Sequence, residues 1–225
     1  MTRVAVTREI PPQAVAALRE HFEVLDNPSD LIRSRAELLA WLQGCEGVLL
    51  AGGERIDDEL LQACPRLRAA CNMAVGYNNI DVPACTARGV WVTNTPDVLT
   101  ETTADFGFAL MMAAARRIAE SEHFLRAGKW TRWGHDMFAG ADLHGAMLGI
   151  LGMGRIGQAI ARRGALGFGM NVIYHNRSRL DAKTEAQLGA RYMRKEQLLR
   201  QADHLVLVLP YSAASHHAIG AAELA

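Results

Sequence analysis

A glycine-rich motif between a strand-like and a helix-like segment constrains the fold of this chain more than any other sequence feature. The apolar residues 147–151 run directly into the motif 152–157, Gly-Met-Gly-Arg-Ile-Gly, and a helical pattern follows. In this context the first glycine permits a tight turn, the second lets the backbone approach a pyrophosphate, and the third lets the helix pack against the strand. The helix N-terminus adds N–H groups and the positive end of the helix dipole. The motif therefore predicts a dinucleotide-binding β/α/β unit, and a ligand-free strand–turn–helix is the alternative. The predicted cofactor-binding residues are Gly152, Gly154, Arg155, Ile156 and Gly157.

The residues after the next predicted strand, 171–174, indicate which dinucleotide binds. An Asp or Glu about 20 positions beyond the glycines selects NAD by binding the ribose hydroxyls. This chain has Asn176 there, followed by Arg177, Ser178 and Arg179. Arginine side chains bind a 2′-phosphate through charge-assisted hydrogen bonds. These four residues predict NADPH as the preferred cofactor over NADH, unless both arginines only lie in a solvated turn.

Alternating strand and helix patterns along the whole chain predict an α/β fold with parallel sheets. The pattern changes near residue 98, which gives predicted domains of residues 1–98 and 99–225. A helix over 100–117 contains the apolar run 106–115, and we expect it to be covered on most sides, between domains or in a subunit interface. The predicted strand 205–209 is apolar throughout and is expected to be buried on both faces.

Charge and cysteine content exclude several classes of protein. Lys plus Arg and Asp plus Glu both number 24, so the formal net charge is zero, and no patterning points to nucleic acid or a membrane as a partner. No cysteine lies in a C-x-x-C pair, which indicates reduced, buried thiols in a cytoplasmic protein. His216 and His217 are predicted surface residues without a third ligand, so no metal site is predicted. The four cysteines are Cys45, Cys64, Cys71 and Cys85.

Several segments together resemble the D-isomer-specific 2-hydroxyacid dehydrogenase family. The glycine motif, with Val172, His175 and Asn176 beyond it, resembles one family signature, and Asn-Arg-Ser-Arg points to the bacterial glyoxylate/hydroxypyruvate reductase branch. His204 and Val208 depart from the residue types usual in a second signature. The other similar segments are 75–81, 93–96, 101–105, 202–203 and 209–210.

The resemblance implies a flavodoxin-like substrate domain, an incomplete Rossmann NAD(P)-binding domain, and an active site in the cleft between them. Val75 and Gly76 would bind the substrate carboxylate, unless they form an ordinary strand-to-helix turn. Thr103 would lie near the nicotinamide or its phosphates, unless its hydroxyl only serves its own helix. Three loop residues would border the cofactor, unless they only shape the loop: Pro210, Ser212 and Ser215.

The resemblance further implies NADPH-dependent reduction of small 2-keto acids such as glyoxylate, hydroxypyruvate or 2-ketogluconate. It also implies a homodimer formed through the helices of residues 100–127. Trp130 and Trp133 would reach a partner subunit or pack beneath the arm 129–144.

The catalytic residues that the resemblance implies have no matching position in this sequence. In the family an Arg polarises the carbonyl, a His protonates the alkoxide and a Glu orients that His, as keto-acid reduction requires. We therefore name no catalytic residue and expect the chain to stop after the first half of the Rossmann domain. An unpaired edge at strand 205–209 would then lower solubility or be covered by a partner chain. The alternative function is a catalytically inert dinucleotide-binding or dimerising remnant.

Overall fold

The computed structural model describes residues 1–224 and divides the chain into two compact units. The first unit is Met1–Asp97 and the second begins at Val98. Within residues 1–224, no helix has the length and apolar character needed to cross a membrane. Each unit is an α/β assembly with one parallel sheet, so the predicted fold class is confirmed.

The first unit contains a five-stranded sheet with the order β2-β1-β3-β4-β5. This is the order of the flavodoxin-like fold, which reverses between β1 and β3. The strands are β1 Arg3–Val6, β2 Glu23–Leu25, β3 Gly47–Leu50, β4 Ala69–Asn72 and β5 Trp91–Thr93. The helices are α1 Pro12–Arg19, α2 Arg35–Leu42, α3 Asp58–Ala63 and α4 Val82–Ala87.

Capping residues determine where these helices begin. A capping box begins α2, with Ser34 and Glu37 each bonding the other's backbone N–H. Helix α3 begins at Asp58, because the Asp57 side chain caps it by accepting a hydrogen bond from Leu60 N. Ile56, just before it, forms a parallel bridge with Ile80. Helix α4 was not predicted. Its cap is Asp81, whose carboxylate accepts from Ala84 N.

The second unit begins with two helices and an irregular arm, and its four-stranded parallel sheet has the order β8-β7-β6-β9. These strands follow the order 3-2-1-4 of the first four strands in a dinucleotide-binding sheet. The strands are β6 Met147–Leu151, β7 Asn171–His175, β8 Ala190–Tyr192 and β9 His204–Leu207. The helices are α5 Thr100–Ala115, α6 Ile118–Arg126, α7 Arg155–Phe168, α8 Ala182–Leu188, α9 Lys195–Gln201 and α10 Ala221–Leu224.

Helix α5 buries one face within its own unit and leaves other faces exposed. Phe108 and its neighbours on one face are buried in the core of this unit, and Gly107 lets Ile160 of α7 approach closely. On other faces, Phe106 and Leu110 are 65% and 54% exposed. Helix α7 packs closely along α5, and the expected cover of the other faces by a subunit interface stays a prediction.

Strand β9 is also less buried than predicted. It lies at the edge of the sheet, and β6 is its one strand partner within residues 1–224. Leu207 is 50% exposed and Leu209, which lies beyond the strand, is 38% exposed. The prediction of burial on both faces is therefore wrong, whereas the predicted unpaired edge is present.

Candidate functional site

The glycine loop follows β6 at the point where the strand order of the second sheet reverses. Gly152 has a φ of +99°, and a Cβ there would lie 2.4 Å from the carbonyl oxygen of Val208. A Cβ on Gly157 would lie 2.3 Å from the carbonyl oxygen of Gly152. Both distances are shorter than any real Cβ contact, so both positions require glycine.

Gly154 differs from the other two glycines because its surface is open. No heavy atom lies within 4 Å of the place where its Cβ would be. It is the N-cap of α7, and no side chain caps that helix. The predicted residues Arg155 and Ile156 form the first turn, at the positive end of the helix dipole. The open backbone next to an uncapped helix start fits the pyrophosphate of a dinucleotide.

Asn176 connects the end of β7 to the glycine loop. Its Oδ1 accepts a hydrogen bond from Met153 N at 3.3 Å. Gln158 Nε2 donates to the carbonyl oxygen of the same methionine, also at 3.3 Å. The residue in the ribose-selecting position therefore also helps to fix the loop, a link that the sequence did not reveal.

The two arginines predicted to bind a 2′-phosphate differ in their surroundings. Arg179 donates from Nε and Nη2 to the two carboxylate oxygens of Glu185, at 2.9 and 2.7 Å. Arg177 is exposed, and its side chain has no hydrogen bond or ion pair within residues 1–224. Ser178 is exposed beside them. Of the two, Arg177 is therefore the arginine without an ion pair within residues 1–224. Sequence reasoning missed Glu185, the carboxylate that pairs with Arg179.

A buried tyrosine completes the Arg179–Glu185 pair. The Tyr174 hydroxyl donates to Glu185 Oε1 at 2.8 Å and accepts from Leu180 N at 2.8 Å. Burial raises the pKa of Tyr174 to about 12, so the hydroxyl stays protonated as a donor. The hydrogen bond from Arg179, supported by that from Tyr174, holds the pKa of Glu185 below its ordinary value. The network fixes the turn 176–180 from beneath.

In the first unit, the carbonyl groups of the loop 74–76 are all engaged. Ala74 O accepts from Thr95 N at 3.1 Å, and Val75 O accepts from Asn94 Nδ2 at 2.9 Å. Gly76 O accepts from Asn72 Nδ2 at 2.6 Å. The N–H groups of Val75 and Gly76 donate to no other residue in the described part of the chain. The loop is therefore held through its carbonyls, and two adjacent donors remain for an anion.

Asn72 is the anchor of this loop, and sequence reasoning missed it. Its side chain is buried at the end of β4, with the residue 2% exposed. Nδ2 also lies 3.2 Å from Asn79 Oδ1, and Asn79 Nδ2 donates to Glu54 O at 3.0 Å. An asparagine at the end of an otherwise apolar strand was the one available signal.

The remaining predicted cofactor residues have contrasting contacts. Thr103 is half-buried and its hydroxyl makes no hydrogen bond within residues 1–224, whereas the neighbouring Thr102 donates to Leu99 O at 3.2 Å. In the loop after β9, the Ser215 hydroxyl donates to Pro210 O at 2.7 Å and accepts from Ser212 N at 2.8 Å. The serines thus shape this loop, and the Thr103 hydroxyl is not used by its own helix.

Histidines and cysteines form no further site among the described residues. The exposed rings of His216 and His217 stack with centroids 3.8 Å apart. Residues 1–224 contain no group of three or more His, Cys, Asp or Glu side chains that could hold a metal. All four cysteines are free thiols. Cys71 is only half-buried, contrary to prediction, whereas burial raises the thiol pKa of the other three: Cys45, Cys64 and Cys85.

A parallel sheet of this order, with the glycine loop at its reversal point, defines a dinucleotide-binding α/β protein. Residues 108–225 match the model of the D-isomer specific 2-hydroxyacid dehydrogenase, NAD binding domain. The chain is 46% identical over 221 residues to a glyoxylate reductase of Thermococcus kodakarensis, covering 96% of this chain and 66% of that protein. It therefore belongs to the D-isomer specific 2-hydroxyacid dehydrogenase family.

Solved structures agree with this assignment. The TT0316 protein from Thermus thermophilus is 38% identical with a TM-score of 0.89, and the match covers 99% of this chain and 70% of that one. A glyoxylate reductase from Paecilomyes thermophila is 32% identical with a TM-score of 0.84, covering 99% and 69%. The chain spans about two thirds of the length of the curated relatives it matches.

Proposed function

We propose that the protein is an NADPH-dependent reductase of small 2-keto acids, with glyoxylate as the first candidate substrate and hydroxypyruvate and 2-ketogluconate as the others. The observation that carries the proposal is the pair of unpartnered N–H groups at Val75 and Gly76, in a loop held by its carbonyls. Two adjacent N–H donors suit a carboxylate. The names of the similar glyoxylate reductases support the substrate class.

The reaction would transfer a hydride to C2 of the keto acid, and the resulting alkoxide would take up a proton to give a 2-hydroxy acid. A bound nicotinamide supplies the hydride. In this chain Val75 and Gly76 would hold the carboxylate, and Gly154 with the first turn of α7 would hold the pyrophosphate. No residue here matches the Arg, Glu and His that the family resemblance assigns to catalysis. We therefore expect residues 1–225 by themselves to bind both ligands without turnover, and a protein that lacked these three residues altogether would be the inert binding remnant of the alternative.

An assay of the 225-residue polypeptide tests both parts of the proposal. NADPH binding is measured by the fluorescence of the reduced cofactor, and turnover by its absorbance with glyoxylate, hydroxypyruvate or 2-ketogluconate. We expect NADPH binding and no turnover. Turnover would contradict the assignment of catalysis to Arg, Glu and His, and no cofactor binding would contradict the assigned loop.

The proposed preference for NADPH depends on Arg177 more than on Arg179. Arg177→Ala should weaken NADPH binding about tenfold and leave NADH binding unchanged, because it removes one charged hydrogen-bond donor. Arg179→Ala also releases Glu185, so part of its effect should appear with NADH. Equal affinities of the unmodified chain for the two cofactors would contradict the proposed preference.

We also propose a cytoplasmic homodimer that forms through the helices of residues 100–127. Exposed apolar side chains on α5 and α6 support this proposal: Phe106, Leu110, Ile118 and Leu125. Trp130 and Trp133, which are 54% and 68% exposed, would extend the contact. Light scattering of Phe106→Ser with Leu110→Ser should report a monomer, whereas an unchanged dimer would place the interface elsewhere.

A further inference from the structure

The first unit contains a cavity of about 320 Å³ that the proposed reductase function does not use. It lies at the carboxyl ends of β1 and β3, where the strand order of the first sheet reverses. Ligands in open α/β sheets bind in the crevice at such a reversal point. Thr7, just beyond β1, and Glu54, beyond β3, line it together with Arg33, Leu38 and Trp41.

Three residues that line this cavity each carry a buried polar atom without a partner in the described part of the chain. Within residues 1–224, four buried side-chain nitrogen or oxygen atoms have no hydrogen-bond partner, and three of them belong to residues that line it. These three are Thr7 Oγ1, Arg33 Nη1 and Glu54 Oε2. Thr7 is 3% exposed. A buried polar atom without a partner lowers stability, so three such atoms beside one cavity point to polar groups, of a ligand or of water, that satisfy them from the cavity.

The other charged side chains around the cavity are already paired. Arg8 donates from two nitrogens to both oxygens of Asp30, at 2.7 and 2.6 Å. Arg35 and Arg55 both bind the carboxylate of Asp57. What remains is one guanidinium, on Arg33, and one carboxylate, on Glu54.

Arg33 is oriented by an aromatic ring. Its Cζ atom lies 3.6 Å from the centroid of the Trp41 ring, a cation–π geometry. The stacked guanidinium keeps its edge, where its N–H groups lie, for an anionic ligand. The apolar lining next to it includes the buried Leu38 and the more exposed Leu31 and Ile32.

We propose that this cavity binds a free α-amino acid with an apolar side chain. The ligand carboxylate would accept hydrogen bonds from Arg33 and Thr7, and its ammonium group would donate to Glu54. Its side chain would contact Leu38 and the adjoining apolar residues. One unpaired cation and one unpaired anion in the same cavity match a zwitterion, whereas a simple anion would leave Glu54 without a donor.

Three ligands with the same isobutyl group test the proposal on the unmodified 225-residue chain. They are leucine, 4-methylpentanoate, which lacks the ammonium group, and isopentylamine, which lacks the carboxylate. Binding is measured by calorimetry and by the indole N–H signal of Trp41 in an ¹⁵N spectrum, assigned with Trp41→Phe. We expect leucine to bind saturably and each of the other two to bind at least about tenfold more weakly, because each loses a charged hydrogen bond.

Variants then locate the site. Glu54→Gln and Arg33→Gln should each weaken leucine binding about tenfold. Thr7→Val, which keeps the side-chain shape, should have a smaller effect in the same direction. Arg66→Gln is the matched control, because Arg66 is exposed and pairs with Glu46 outside the cavity. It should bind leucine as the unmodified chain does.

Four outcomes would overturn the proposal. Equal affinity for 4-methylpentanoate and leucine would make the cavity an anion site, and equal affinity for the amine would make it a cation site. No saturable binding of any of the three would mean that the cavity holds water only. Unchanged leucine binding in Glu54→Gln and Thr7→Val would place the binding elsewhere.

Discussion

The two candidate anion-binding loops are held in place by opposite means. The glycine loop 152–157 of the second unit depends on missing side chains, because a Cβ at Gly152 or Gly157 would overlap a backbone carbonyl. The loop 74–76 of the first unit depends on side chains that are present, because Asn72 and Asn94 bind its carbonyls. A backbone that presents N–H groups to an anion can thus be fixed in two ways. It can pack so closely that no Cβ fits, or its carbonyls can accept hydrogen bonds from side chains.

The difference predicts different responses to small substitutions. In the glycine loop, an added methyl group should disrupt the fold at Gly152 and Gly157, but only the binding surface at Gly154. In the loop 74–76, removing an amide should release a carbonyl without any steric overlap. Variants of the two loops can therefore test whether steric exclusion is the stricter constraint.

The largest effect is expected from Gly152→Ala. The added Cβ would lie 2.4 Å from Val208 O, and the φ of +99° is one that side chains rarely adopt. We expect the free energy of unfolding, measured by urea denaturation, to fall by about 3 kcal/mol. Gly167→Ala in α7 is the control, because nothing lies within 4 Å of its Cβ position. There a gain of up to about 1 kcal/mol is expected. Equal stability of Gly152→Ala and the unmodified chain would refute steric exclusion as the constraint.

The next effect is expected from Asn72→Ala. The substitution removes a buried donor to Gly76 O and leaves that carbonyl without its partner, at an expected cost of about 2 kcal/mol in unfolding free energy. Glyoxylate binding, measured by calorimetry, should weaken as well because the loop loses its anchor. Asn171→Ala removes an exposed hydrogen bond from the side-chain amide to Gly145 O and should lower the unfolding free energy by less than about 0.5 kcal/mol. Similar losses in the two variants would show that burial is not what makes Asn72 important.

These two loops also show what the sequence could and could not reveal. The glycine motif was recognisable because its spacing alone determines which backbone positions lack a Cβ. Asn72 and Asn94 were not recognisable as a pair, because their shared target is brought to them by β4 and the segment after β5. The Arg179–Glu185 pair was missed for a similar reason, since it forms across a turn whose path the sequence did not specify.

Burial was the least predictable property of the elements that were otherwise correctly placed. The predicted strand 147–151 has the bounds of β6. Composition could not show how much of α5 or β9 is covered, because cover depends on which elements pack against them. The short helix α4 was missed because its six residues are too few for a helical apolar pattern.

A third prediction separates folding from binding within the glycine loop. Gly154→Ala adds a methyl group where no atom lies within 4 Å, so the unfolding free energy should change by less than about 0.5 kcal/mol. The same methyl group would occupy the open surface that fits the pyrophosphate, and NADPH binding should weaken about tenfold, or about 1.4 kcal/mol. Cofactor fluorescence and urea denaturation of the same sample measure both quantities. Unchanged NADPH binding would mean that the phosphates lie elsewhere.

The smallest effects concern pH, and they again distinguish the two units. In the first unit, hydrogen bonds from Arg8 lower the pKa of Asp30 from 3.8 to about 2. In the second, burial raises the pKa of Tyr174 from 10.0 to about 12. A group whose pKa is lowered by folding stabilises the folded chain at pH values above its ordinary pKa. That stabilisation is lost as the pH falls through the pKa of the group in the folded chain. A group whose pKa is raised by folding stabilises the folded chain at pH values below its ordinary pKa. That stabilisation is lost as the pH rises through the pKa of the group in the folded chain.

The stability advantage of the unmodified chain over Asp30→Asn should therefore shrink as pH falls from about 4 to about 2. Its advantage over Tyr174→Phe should shrink as pH rises from about 10 to about 12. Unfolding free energies of the three chains across both ranges measure these differences, and other titrating groups cancel because every chain contains them. A Tyr174→Phe difference that stays constant up to pH 12 would show that burial does not favour the neutral hydroxyl. The Tyr174 hydroxyl would then contribute little to holding Glu185, and Arg179 would be the main partner that fixes the turn 176–180.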